Sequence, residues 1–299
     1  VLAGGGTGGT TSSPMAFPIP AEELGTVSIV PNGSFEAGSY QTFVLTYIAG
    51  KFGIDDSGSM RVCFRFASDQ TRPQFEDPKG PNYTTIEASN NAVLTYHYDP
   101  KGNVRPWDRT LYIKVVRGFL REGDKITITF GDRSGGSPGM RLQTFCEDSY
   151  EFHTLIDPIA TYCYQPMPLQ PVIKIIPGKP DRYLAVAPTI RAIDERFSIK
   201  FKGEDKWGNP SDQCDIQLYP RASHPVQNLP DVISLKPGEF FGVIEGLSVA
   251  DAADLHIDFL DDAGAVMCRT NPIRIEPAPL SRHFWGDLHG QSEETIGTG

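Results

Sequence analysis

Between residues 26 and 155, apolar and polar side chains alternate in seven short runs: 26–30, 40–48, 61–66, 93–98, 111–116, 125–130 and 150–155. A period of two places successive side chains on opposite faces of an extended chain, so each run predicts a half-buried strand. In the run 61–66, Val62, Phe64 and Phe66 fall on one face and Arg61 and Arg65 on the other. That is the pattern of an antiparallel strand with one face toward a core. Seven such runs, each bounded by Gly, Pro, Asn or Asp, predict a β-sandwich over 15–176. Residues 68–91 carry little strand signal outside 83–86 and predict a long loop, a candidate contact surface for a neighbouring domain.

Pro166, Pro168, Pro171, Pro177 and Pro180 then crowd one segment around the apolar run 172–176. Dense proline stiffens and extends a chain, which predicts a connector and a domain boundary there. Seven further runs follow, at 183–187, 196–201, 215–219, 232–235, 240–245, 255–259 and 266–275. Together they predict an immunoglobulin-like sandwich over 177–278. The predicted fold class is all-β, two consecutive β-sandwiches, preceded by a Gly/Thr-rich flexible lead-in over 1–14.

Composition agrees with short strands and many turns: among 299 residues there are 30 Gly and 25 Pro, with 39% hydrophobic and 21% charged residues. The formal net charge of −10, without a basic stripe, argues against a nucleic-acid partner. No window approaches the roughly 20 apolar residues of a membrane span. Five cysteines, an odd number without C-x-x-C spacing and mostly within apolar or alternating runs, read as buried thiols and favour a reducing, cytoplasmic setting.

Side chains capable of chemistry concentrate at 283–299. On an extended segment Trp285, Asp287, His289 and Gln291 share a face, and a carboxylate beside an imidazole suits a divalent metal such as zinc or manganese. Trp-Gly-Asp-Leu-His-Gly-Gln-Ser at 285–292 resembles the opening motif of an uncharacterised bacterial family whose catalytic region is similar to the polymerase-and-histidinol-phosphatase (PHP) metallohydrolases. In those enzymes the first strand of a distorted α/β barrel carries Asp-Leu-His-x-His and supplies metal ligands. The resemblance implies metal ligation by Asp287 and His289, with Gln291 standing where the family has its second histidine. Two further stretches resemble the same family: Gly-Asp-Arg-Ser-Gly-Gly-Ser-Pro-Gly at 131–139 with the following Arg141-Leu-Gln-Thr-Phe, and Asp-Lys-Trp-Gly-Asn-Pro at 205–210. A barrel needs about 200 residues or more. The expectation is therefore that 279–299 opens a catalytic domain which is itself the chain's missing partner, and that this chain alone is inactive.

The 131–139 loop also resembles the nucleophile loop of chymotrypsin-like proteases, but Arg133 is inserted and no base-bearing motif accompanies it. Under the PHP-like reading Arg133 or Arg141 offers a guanidinium to a small substrate's carboxylate or phosphate. Asp254, His256 and Asp258 share a strand face like a metal site, yet a solvated face opposite Leu255, Ile257 and Phe259 explains them fully. Two functions remain open on the sequence: the accessory part of a metal-dependent hydrolase of phosphoesters or related esters, or a non-catalytic module that binds a protein or glycan.

Overall fold

The computed structural model describes residues 19–281 and Phe284. The lead-in 1–14 and the tail with Asp287, His289 and Gln291 lie outside the described residues. Apart from one 3₁₀ turn at Ala21–Glu23, every regular element among the described residues is a strand. The alternating runs are the reason. Phe43–Ala49 buries Phe43, Leu45, Tyr47 and Ala49 and leaves the residues between them half-buried, which is what period-two patterning demands.

By internal packing the chain forms two units. The first comprises residues up to Gly33, Tyr40–Arg141 and Ser149–Ile173; the second comprises Ser34–Ser39, Leu142–Asp148 and the chain from Lys174 onward. In the first unit a four-stranded antiparallel sheet runs Gly25–Val30, Phe43–Ala49, Lys125–Phe130, Thr85–Ala88. A five-stranded antiparallel sheet runs Gln165–Pro166, His153–Asp157, Ser59–Phe64, Arg109–Arg117, Val93–Asp99. Their apolar faces meet in an aromatic core. The Phe152 ring lies 5.5–5.8 Å from the rings of Tyr150, Phe43, Phe64 and Phe130.

Three details depart from the sequence pattern. The run 150–155 is broken at Phe152, whose N–H leaves the ladder to donate to Pro171 O at 2.9 Å. The second face of Ser59–Phe64 is not solvated: Cys63 is fully buried and receives hydrogen bonds from Asn103 Nδ2 at 3.4 Å. Residues 68–91 are folded onto the unit. Asn82, fully buried, donates from its backbone to Gly139 O and from Nδ2 to Thr71 O, and the Arg109 guanidinium donates to Ser68 O. Polar side chains replace ladder bonds here, and a hydrophobic pattern is blind to them.

The second unit is also a sandwich. One sheet runs Arg182–Val186, Phe197–Glu204, Gly242–Leu247; another runs Ile233–Leu235, Ile216–Ala222, Ile257–Leu260, Val266–Arg269; a third runs Ile190–Ala192, Ile273–Glu276, Ala253–Leu255. Phe201 and Phe259, from facing sheets, stack at 6.1 Å in a core with Ile199, Leu218, Leu247 and Ile273. Burying each such side chain contributes about 1.5–3 kcal/mol.

The 205–210 turn ties remote segments into this unit. Asp205 is 2% exposed and accepts N–H donors from Trp207 and Asn209 on Oδ1, and from Gly178 and Asn209 Nδ2 on Oδ2. Asn209 in turn donates to Thr144 O at 2.9 Å and accepts from Cys146 N–H at 3.2 Å. Trp207 Nε1 donates to Ala37 O at 3.0 Å, and its ring covers Gly38 so closely that a Cβ there would sit 2.6 Å from it. Gly38 also has φ +68°, a backbone region in which glycine alone is unstrained.

Candidate functional site

Arg133 and Arg141, the expected substrate-binding groups, both belong to the first unit. Arg133 Nη2 donates to Tyr40 O at 2.8 Å. Arg141 pairs with Asp69, at 3.5 Å to its carboxylate and 2.5 Å to its carbonyl. Between them the loop closes on itself. Asp132 accepts Ser134 N–H and Thr85 Oγ1–H, each at 2.9 Å, and the Ser134 backbone bond above all holds its carboxyl below the usual range. The glycine-rich segment is thus a side-chain-capped turn.

The strand triad resolves into two ion pairs. Asp254 meets Arg274 at 2.9 Å, and Asp258 meets Arg269 through two bonds of 2.6 and 3.1 Å, which hold the Asp258 carboxyl low. His256 stands 4.0 Å from Asp258. Leu255, Ile257 and Phe259 point into the core, as the period-two pattern requires. His153 stacks on Trp107 at 4.7 Å and bonds Glu151 at 2.6 Å, while His97 packs on Tyr112. Among the described residues no group of three His, Cys, Asp or Glu is placed to hold a metal ion.

What the second unit does present is a groove of about 760 Å³, within the 300–1,000 Å³ range of ligand sites. Its apolar surface comes from the outward face of the three-stranded sheet. Register explains which side chains stand there: Leu184 lies opposite Lys202, Val186 opposite Lys200, and Val243 opposite Lys200 on the other side. Val186 is 62% exposed and Phe241 62%, large values for apolar side chains grouped on one face. Phe240 and Phe241 form one wall. They follow a turn at Gly238, φ +94°, whose N–H is anchored on Asp212 O at 2.7 Å.

Cys146, Asp148, Lys174 and Ile176 also line the groove. Lys174 pairs with Asp148 at 2.8 Å. The Cys146 thiol is exposed, yet its pKa is pushed up to about 11, first by partial burial and then by the carboxylates of Asp205, Asp148 and Asp212. It is therefore a poor nucleophile at neutral pH. All five cysteines are free thiols, but against the expectation only Cys63 and Cys214 are buried: Cys146 and Cys163 lie exposed outside the strands, and Cys268 is half-buried.

The groove had a signal in the sequence. In Arg182–Val186, Tyr183, Leu184, Ala185 and Val186 are apolar in both parities, so neither face of that strand is a plain solvated one.

No protein-family model matches the chain, and neither does any curated protein. A structure of the Yersinia pseudotuberculosis adhesin InvE is similar over 84% of this chain, at 8% sequence identity and a TM-score of 0.25. This chain spans 58% of that structure's length. At such values the likeness carries no statement about function. No helix among the described residues is long and apolar enough to cross a membrane.

Proposed function

We propose that the described part of this chain is a non-catalytic recognition module, and that the groove of the second unit is where it binds. The observation that carries this reading is the exposed apolar face around Leu184, Val186 and Phe241. Uncovered apolar area of this kind costs free energy in water and is recovered when a ligand or partner covers it. Saturable binding of the uncharged dye Nile red tests it. Phe241→Asp, on an exposed wall, is expected to weaken binding at least tenfold with the circular dichroism spectrum unchanged; equal binding by both proteins would remove the groove as a site.

The segment 285–292 favours a second, compatible reading, in which the module is the accessory part of a PHP-like metal-dependent hydrolase of a phosphoester or related ester. Asp287 and His289 are the residues that would hold a zinc or manganese ion there. An amide oxygen binds such ions less well than imidazole, so Gln291 is the weaker donor. In the complete protein His289→Ala is expected to lower metal affinity by roughly tenfold to a hundredfold, and Gln291→Ala by less. Elemental analysis of both variants decides: metal content unchanged in His289→Ala leaves the recognition module standing alone.

A further inference from the structure

We propose that the groove takes an acyl-chain carboxylate, a ligand with a long apolar body and a single anionic head placed on Lys200. This rests on the groove being a ligand site and names the chemistry it selects.

Three lysines line the groove, and two of them already have a carboxylate partner. Lys174 is held by Asp148 at 2.8 Å. Lys202 is held at 2.8 Å by Glu204, which also receives Arg182 at 2.7 Å. Lys200 alone of the three has no hydrogen-bond or ion-pair partner among the described residues. Its position sharpens the contrast. Cross-strand register sets it between Val186 on one side and Val243 on the other, so an unpaired ammonium rises from an apolar surface. Backbone amides of the central strand Phe197–Glu204 are spent on the ladders to either side. Side chains therefore supply the polarity of this face, and Lys200 is the groove lysine left without a carboxylate partner.

The other carboxylates fix the direction. Asp148 and Asp212 act on Cys146 and Lys174. An anion placed beside Lys174 meets the carboxylates of Asp148 and Asp212 as well as the ammonium, whereas at Lys200 it meets a cation without a carboxylate partner. A neutral hydrocarbon would leave Lys200 facing apolar atoms with nothing to bond, and a cationic amphiphile would be repelled from it. An acyl carboxylate satisfies both halves of the site, since its chain covers Leu184, Val186 and Phe241 while its head accepts from the ammonium. One charge-assisted hydrogen bond flanked by apolar surface sets the expected preference at about tenfold in affinity.

The experiment compares three probes of equal chain length, dodecanoate, dodecanol and dodecyltrimethylammonium, each below its micelle concentration, by calorimetric titration of the whole chain. Dodecanoate is expected to bind one to one and about tenfold tighter than dodecanol, with the cation weakest. Lys200→Gln should abolish the preference for dodecanoate over dodecanol, Lys200→Arg should keep it, and Lys236→Gln, a lysine that does not line the groove, should leave it unchanged. Lys200 is exposed, so these variants retain the fold. Added salt should shrink the preference. Equal affinity for dodecanoate and dodecanol, or a preference that survives Lys200→Gln, overturns the proposal. If none of the three amphiphiles binds while Nile red still does, the acyl carboxylate is wrong and the groove remains a site for something else, such as an apolar segment of a protein; if Nile red fails as well, the groove reading falls with it.

Discussion

Asp205→Ala is expected to destabilise the second unit by about 3–5 kcal/mol. One buried carboxylate accepts four N–H donors, from Trp207, Asn209 twice and Gly178, and its removal leaves them facing protein without acceptors. Each buried donor left unmade costs about 1–3 kcal/mol, and the four share one group, so the sum is less than additive. The effect has a pH signature. Burial alone would raise the Asp205 carboxyl, but the donors from Asn209, Gly178 and Trp207 outweigh it and hold the carboxyl below its ordinary 3.8. A depressed folded value means that the unfolded chain takes up the proton first. The stabilisation is therefore full above about pH 4 and is lost as pH falls through the folded value. Urea midpoints at pH 7 and pH 3 check both parts. A loss below 1 kcal/mol at pH 7, or the same acid sensitivity in wild type and variant, would sink this account of the turn.

Phe152→Ala should cost the first unit a similar amount, about 3–5 kcal/mol. The ring is fully buried, and four other aromatic rings converge on it, so truncation opens a cavity that rigid neighbours cannot close. Edge-on contacts such as those with Phe64 and Tyr150 add about 0.5–1.5 kcal/mol per pair beyond area burial. Phe152→Leu keeps much of the volume and should cost clearly less. The near-ultraviolet aromatic spectrum and a guanidinium titration report the change. Should alanine cost under 1.5 kcal/mol, the cluster must be able to collapse, and its rings are less fixed than their packing implies.

The strands were legible because their physics is local. The run 125–130 recurs as Lys125–Phe130, and 93–98 lies within Val93–Asp99. Phe152 escaped because a break inside an alternating run leaves the alternation intact; its cause, the bond to Pro171, is a tertiary fact. The loop 68–91 escaped for a different reason, since Asn82 and Gln74 build structure from amide groups that a hydropathy pattern counts merely as polar. Resemblance pointed to 205–210, but the reason for that sequence is in the carboxylate of Asp205 and the two-sided amide of Asn209. Candidate chemistry was harder still. Arg133 stood out for its glycine-rich surroundings, which serve a turn, and the acid–histidine triad at 254–258 for a spacing that two arginines from other strands account for. The groove was half visible: apolar residues in both parities of Arg182–Val186 announce a second apolar face but do not say whether anything covers it.

The partnership of Trp207 with Ala37 spans 170 residues of chain. On a ribosome Ser34–Ser39 and Leu142–Asp148 emerge long before the strands they join, so the second unit cannot close until its final strands have left the exit tunnel. Until then the Ala37 carbonyl, the bare face of Gly38 and the peptide groups of 144–146 must wait without their acceptor and donor. A nascent chain of this kind is exposed to off-pathway pairing while the 170 residues between these partners are made, and its yield in a cell should depend on translation speed and on holdase chaperones more than its final stability would suggest.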